Sequence, residues 1–533
     1  MANYEDAAPF NPVRILTEDS APRYMHYAED FITAKLPAGT RVIYPNLPMK
    51  PIDHRGAAIR YALNHPEGDQ QPLYAKLRPG MKVTIAIDDI SVPLPAMRKP
   101  DLRQEMLEIV VQMLEDHGVE DYEIIIALAL HRRMTPEEIK YSVGPKIFNA
   151  YYPDRLYNMD AEDRENMVVL GTTEEGEEVQ VVRRVAESDL LIYLNINFVP
   201  MNGGFKSIGT GLSGYQAIRH HHNPETIAKC NSYMDPFSSE LYSRNTRQGK
   251  LLKEHIDVFH VETTLNNKMY PDQLAFLALP EDDWSARDQL AFRAFQTSLK
   301  RMPRAAKRKL FFNIPSEYGL LGVHAGETEA VHEKTLQKCF QQHSVKIEGQ
   351  ADVVVYGIPF ASPYNVNSIL NPLLVRVMAL GYFFNMYRGK PLLKPGGTLI
   401  ITHPCYDEFD PEHHPSYIEF FNRCLPQTRN SHKLAHMWEE EFANNPNYIE
   451  MFRRGNAYHG VHPFYMWYWC ENGQNHVGDV IVVGAENDHV PARMGWRTAA
   501  TMDEALDMAR DNHGPSPEIT MLHHPPFVLT DLR

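Results

Sequence analysis

The 533-residue chain is too long for one compact core, and its 43% hydrophobic and 23% charged residues describe an ordinary globular protein. Its formal net charge of −15 excludes a general nucleic-acid binder, because phosphate contacts draw on clustered Lys and Arg. Five cysteines with no C-x-x-C pair give neither a disulfide framework nor a zinc ribbon and fit a reducing cytoplasm. The start, Met1-Ala2-Asn3-Tyr4-Glu5-Asp6, lacks the pattern of an export signal, and no apolar run approaches ~18 residues, so no membrane span is expected.

Residues 1 to about 80 are rich in proline and turn signals and read as irregular structure with short strands. An α/β pattern follows. Residues 82–87 form a β-rich run ending in Asp88-Asp89, and 102–117 have helical apolar spacing closed by Gly118. A second strand covers 122–130 and ends in His131; Thr135 and Pro136 then open a helix as N-cap and first helical residue. A third strand, 189–195, leads to Asn202-Gly203-Gly204-Phe205-Lys206-Ser207. Strands at 351–356, 399–402 and 479–483, with helices around 370–387 and 502–508, predict a second α/β domain, whereas 407–475 show little clean period. Polar residues gather just beyond strand ends, where open α/β sheets bind ligands.

Lys206 stands among glycines that let backbone approach a ligand, although a solvated surface turn is the competing reading and the Walker A spacing is absent. In His220-His221-His222, adjacent helical side chains diverge, so at most one of the three faces a metal. His131 suits a base near neutral pH, and Asp88 and Asp89 suit orienting a histidine, binding a hydroxyl or, more commonly, capping a loop. No G-x-S-x-G or H-E-x-x-H motif supports a serine hydrolase or zincin.

Taken in order, these segments resemble the lactate racemase family. The family's Asp-x-Thr-Arg-Pro-x-Pro motif is similar to Asp89-Ile90-Ser91-Val92-Pro93-Leu94-Pro95, and its Thr-His-Arg-x-Met-Thr motif to Leu130-His131-Arg132-Arg133-Met134-Thr135. Its Gly-Gly-Arg-Lys-Ser segment resembles Gly203-Gly204-Phe205-Lys206-Ser207, and its Gly-Tyr-x-x-Ile-x-x-x-His stretch resembles 214–222. Further similarity at 170–173, 351–355, 394–398 and 499–506 spans both halves.

The resemblance implies two α/β domains with a cofactor cleft between them: an N-terminal cofactor-binding domain over 1–290, a C-terminal domain over 291–490, and a segment 491–533 packing back on the first. It implies a nickel-pincer nucleotide (nickel pyridinium bisthiocarboxylic acid mononucleotide), linked covalently to Lys206, with His222 as nickel ligand and Asp89, Ser91, Gly203, Gly204 and Ser207 around it. Ni(II) accepts a square-planar site and imidazole ligation. It further implies His131 and Asp89 as catalytic residues of a racemase or epimerase that works by hydride transfer on a small hydroxy compound. The partners implied are the enzymes that mature the cofactor.

Three positions depart from the family. Its second catalytic histidine has no counterpart in 195–202, its Arg-Pro arginine is Val92, and its carboxylate-holding glutamine and lysine fall at Leu370 and Leu373. The expected substrate is therefore not lactate but a larger or less charged hydroxy compound, with the His- and aromatic-rich stretch 459–467 as a candidate lining. A one-way oxidoreductase and a non-catalytic cofactor-binding protein are the alternatives.

Overall fold

In the computed structural model, which describes residues 10–532, the chain folds around two mostly parallel sheets. The start read above as lacking a signal lies outside the described residues. The first sheet runs Leu320–Gly326, Val258–Leu265, Leu190–Asn197, Lys82–Asp88, Asp121–Ala127, Leu156–Asn158, with only the first of these antiparallel to its neighbour. Leu190–Asn197 and Val258–Leu265 are buried at every position, as strands covered on both faces must be.

Local chemistry explains the flanking helices. Asp101 caps Leu102–Asp116 by accepting from the Arg103 backbone N–H at 2.9 Å. Thr135 and Glu138 form a reciprocal capping box at the start of Pro136–Tyr151, with proline in the first turn. The strand expected over 122–130 stops at Ala127, because the chain then turns on Ala129, whose φ is 53°, and the His131 N–H closes that turn on the Leu128 carbonyl at 2.9 Å.

The second sheet has the order Val13–Ile15, Arg41–Ile43, Ile519–Leu522, Ala351–Pro359, Leu393–Thr402, Asp479–Val483, Arg497–Ala499. The strands 13–43 thus belong to the sheet formed mainly by C-terminal residues, and Leu320–Gly326 completes the first sheet, so neither sheet follows the expected linear division at residue 290. Segment 491–533 likewise supplies strands to the second sheet and to a small sheet with Ser344–Lys346 and Tyr387–Gly389, while touching the first-sheet side through Phe527 on Phe198. The physical reason is hydrogen-bond satisfaction: each of these segments pairs an otherwise open strand edge.

The first 80 residues are more regular than proline content suggests, holding the hairpin Arg23–Ala28 with Asp30–Ala34 and the helix Arg55–Asn64. Region 407–475 is also ordered, as short helices whose aromatic residues are buried on several sides; that burial erases the one-face periodicity. Among the described residues, no helix is long and apolar enough to cross a membrane.

Candidate active site

Three neighbouring parallel strands, Leu190–Asn197, Lys82–Asp88 and Asp121–Ala127, end side by side, and the loops beyond them carry the polar groups of the site. These groups form one wall of a cavity of about 210 Å³ whose other wall comes from the second sheet and its helices.

Asp88 terminates the middle strand. It is held by Asn195 Nδ2, which donates to both carboxylate oxygens at 3.0 and 2.8 Å, by the Ile196 N–H at 2.6 Å and by the Tyr193 hydroxyl at 3.3 Å. Burial pushes its pKa up to about 6 against these donors. Buried Arg103, paired with Asp101 at 2.8 Å, donates to the carbonyls of Asp88 and Asp89 and so fixes the turn between them.

Asp89 faces the other way, toward His131, whose Nδ1 lies 2.7 Å from Asp89 Oδ2. The backbone N–H of Ser91 donates to Asp89 Oδ1 at 2.9 Å, and the Ser91 hydroxyl donates to the same oxygen. Burial alone would raise the Asp89 pKa, but His131 and the Ser91 donors hold it below its ordinary value. An ionised Asp89 accepting from His131 Nδ1 leaves Nε2 as the acceptor of a substrate proton. The His131 ring meets those of Tyr364 and His462 edge-on, at 5.3 and 5.6 Å.

Lys206 lies in the first turn of the helix Gly204–Gly211 and faces the cavity. Burial depresses its pKa to about 8, against the attraction of Asp88 and Asp89, and among the described residues its ammonium makes no hydrogen bond or ion pair. Ser207 also lines the cavity; its hydroxyl accepts from Asn195 Nδ2 at 3.1 Å and from the Gly203 N–H at 3.2 Å, tying the helix to the Asp88 network.

Gly203 and Gly204 are placed differently from the expectation. Neither lines the cavity: the Gly204 N–H donates to Glu262, a fully buried carboxylate that also meets His332 Nδ1 at 3.1 Å and His260 Nε2 at 3.5 Å. A Cβ at Gly203 would stand 2.6 Å from Glu262 Oε1 and one at Gly204 2.9 Å from His332, at φ of 89° and 61°. Glycine is required here for helix packing over Glu262. Burial would raise the Glu262 pKa, but His332, His260 and the Gly204 N–H hold it at about 2.

Of the histidine triplet, His222 alone lines the cavity. His221 is buried, with Nε2 3.1 Å from the Thr210 hydroxyl, and His220 faces away. His222 stacks on Trp469 at 5.3 Å, its Nδ1 has no partner, and burial together with nearby His221 and Lys206 keeps the ring neutral. Among the described residues no three His, Cys, Asp or Glu side chains assemble into a metal cage.

The departures from the expected pattern have structural counterparts. In 195–202 the cavity receives Asn195, Ile196, Phe198, Val199, Met201 and Asn202. Val92 lines the cavity, whereas Leu370 and Leu373 are buried outside its lining. Arg132 is no replacement cation: it is turned to Glu138 through bonds of 2.9 and 2.7 Å and to the Val366 carbonyl at 3.0 Å. The stretch 459–467 does not line the cavity; its His462 backs His131, and Trp469 supplies the lining. Sequence reading missed Tyr364 and Tyr382, cavity-lining residues whose hydroxyls are 2.7 Å apart, and Glu262; no local pattern marks any of them.

Residues 27–235 match the family model described as the lactate racemase N-terminal domain. A lactate racemase of Thermoanaerobacterium thermosaccharolyticum is 25% identical over 174 residues, a match spanning 32% of this chain and only 38% of that protein's length. The solved apoprotein of lactate racemase from that organism superposes with a TM-score of 0.60 at 17% identity, covering 96% of this chain and 100% of the other. A Thermotoga maritima protein superposes with a TM-score of 0.50 at 14% identity, covering 91% and 100%. At these identities the superpositions establish a shared α/β fold.

Proposed function

The chain is a divergent member of the lactate racemase family, and from that premise we propose that it is a nickel-pincer-nucleotide-dependent racemase or epimerase acting at a hydroxyl-bearing carbon of a substrate other than lactate. The observation that carries this reading is the convergence of Lys206, His222 and the Asp89–His131 pair on one cavity.

The residues present fit the cofactor. Lys206 has an unpaired amine with a depressed pKa, suited to acylation, and His222 offers a neutral ring with an unpartnered nitrogen as the single protein ligand to nickel. Asp89 and Ser91 stand beside them, and Ser207 steadies the helix that carries Lys206. Gly203 and Gly204 act indirectly, by seating that helix on Glu262. When bound, such a group supplies a reversible hydride acceptor, so the carbinol carbon loses and regains two electrons without net oxidation.

The chain's own residues manage the proton. His131 Nε2 accepts it from the substrate hydroxyl while Asp89 holds the opposite ring nitrogen and stabilises the cation that forms. The proton returns from the same ring as the hydroxyl is rebuilt. One further reading, a one-way oxidoreductase, is favoured by a specific observation: among the described residues His131 and His222 are the only histidines lining the cavity, so with His222 on the metal one histidine base remains. A non-catalytic binder has no use for the Asp89–His131 pair.

The test is a screen of the cofactor-loaded protein against α-deuterated hydroxy compounds, both lactate enantiomers included. Inversion with the deuterium retained and a primary isotope effect on kcat is expected from a compound other than lactate, and net accumulation of carbonyl product would establish the one-way reading. Lactate as best substrate by kcat/KM would overturn the assignment.

A further inference from the structure

Residues 266–319 join the antiparallel neighbours Val258–Leu265 and Leu320–Gly326, a connection that a turn of a few residues could make. The chain instead makes a long excursion onto the other lobe, and the two halves of that excursion are held by different forces. The first half is fastened by apolar packing. Trp284, Phe292 and Leu299 are buried against Tyr24 and Phe31 of the hairpin that pairs with the second sheet, and the Phe292 ring lies 5.3 and 5.8 Å from those two rings. Burial of this kind does not depend on charge.

The second half, helix Arg304–Asn313, is fastened by charge. Not one of its described side chains is fully buried, and Leu310, Phe311 and Phe312 are only partly so. Among the described residues five ion pairs hold it: Arg304 with Glu408 and Glu486, Lys307 with Asp30 at 2.8 Å, and Arg308 with Glu29 and, at 2.9 Å, with Glu408. All four carboxylates belong to the lobe of the second sheet, whereas both ends of the excursion are rooted in the first. Surface pairs contribute little individually and are screened by salt, so this helix opens at lower cost than the packed half.

The helix also stands where opening matters. Phe312 packs on Phe360 at 5.2 Å, between the cavity-lining residues Pro359 and Ala361. Just beyond the helix, the Ser316 N–H donates to the Ala96 carbonyl at 2.8 Å and the Tyr318 hydroxyl to the Leu94 carbonyl at 2.5 Å, beside the lining residues Leu94 and Pro95. The excursion thereby ties a cavity loop of one lobe to a cavity loop of the other.

We propose that helix Arg304–Asn313 is an ionic latch that gates access to Lys206. With its pairs made, the two cavity loops stay bridged. With them broken, the helix lifts while Ala286–Arg301 stays fastened, and a nucleotide-sized group reaches the amine. The identity of that group rests on the cofactor reading above; the latch does not.

The test uses full-length cofactor-free protein, the state from which loading starts. It reads hydrogen exchange of 304–313 against 286–301, and acylation of Lys206 by peptide mass, comparing acetic anhydride with the bulkier N-hydroxysuccinimide ester of biotin. Raising salt from about 0.1 M to about 1 M shortens the screening length from about 10 Å to about 3 Å. Across that step exchange in 304–313 should quicken about tenfold with 286–301 unchanged, and biotinylation of Lys206 relative to its acetylation should rise about fivefold. Arg304→Gln/Lys307→Gln/Arg308→Gln should show both effects already at low salt, and Arg304→Lys/Arg308→Lys, which keeps the charges, should restore the slow rates.

Exchange in 304–313 as slow as in 286–301 under every condition would overturn the proposal. Faster exchange without faster biotinylation would overturn it too, because the helix would then be a loose strut and not a gate. If the triple substitution unfolds the chain, exchange rises in every segment, and the salt step on the unaltered protein decides by the same two criteria. Absence of a nucleotide adduct on Lys206 would end the cofactor reading and leave the result on the latch standing.

Discussion

The two walls of the cavity differ in kind. One is assembled from the ends of three parallel strands and carries the polar groups, most of them fixed by a partner: Asp88 by Asn195 and Ile196, Asp89 by Ser91 and His131, Ser207 by Asn195. The other comes from the second sheet and its helices and offers thioether, ring and paired tyrosine surfaces, with no lysine or arginine among the described residues that line it. The strands and loops of the first wall lie within the residues that match the family model, whereas most of the second wall comes from residues beyond that match. On the proposed reading, the first wall holds and serves the cofactor and the second selects what it acts on. The same division recurs within fold families, where a rigid framework carries the chemistry and adjoining segments set specificity.

The comparison breaks first at His131. His131→Gln in protein that retains its Lys206 adduct should lose about 10²- to 10⁴-fold in kcat, since the substituted side chain no longer takes the proton. Undiminished turnover in such protein would move the base to the other wall. The next largest effect concerns the support beneath the polar wall. Glu262→Ala removes the carboxylate that seats Gly204 and pairs with His332 and His260, and should cost about 3–5 kcal/mol in urea denaturation.

The same carboxylate has a pH signature. Its pKa is held at about 2, below its ordinary 4.5, so its contribution is complete above pH 4.5 and is lost as pH falls toward 2. Glu262→Gln should flatten the stability profile across that interval; an unchanged slope would show that other carboxylates dominate. For Lys206, labelling by an amine-acylating reagent in cofactor-free protein should be half-maximal near pH 8, with reactivity at that pH about 10²-fold above that of ordinary surface lysines. A midpoint above pH 10 would contradict the depressed pKa.

The smallest effect is a contrast within the triplet. His222→Ala should lower nickel bound per protein severalfold, while His220→Ala, on a side chain outside the cavity, should leave it within error. Equal losses would mean that the triplet acts through folding and not through one ligand.

Much of the first wall was legible because its signals are local. The β-rich run 82–87, the capping pattern at Thr135 and the divergence of adjacent histidines all follow from rules acting within a few residues. Gly203-Gly204 show where that reasoning ends: a glycine pair before a lysine looks like a ligand cradle, but the group that demands it is Glu262, 58 residues away on a neighbouring strand. The second wall was largely illegible for the same reason. Tyr364 and Tyr382 meet only through the fold, and the assignment of 13–43 to the sheet containing Ile519–Leu522 depends on pairing across nearly the whole chain. Region 407–475 hid helices such as His462–Tyr468 because burial at every position leaves no polar stripe to read.

The most direct measurement is the mass of the peptide containing Lys206, taken from protein produced with and without the enzymes that synthesise the nickel-pincer nucleotide. The expected result is a nucleotide-sized increment on Lys206 only when those enzymes are present, absent from Lys206→Ala and retained in His131→Gln. Identical masses under both conditions, or an increment that survives in Lys206→Ala, would contradict the assignment of this cavity as a covalent cofactor site.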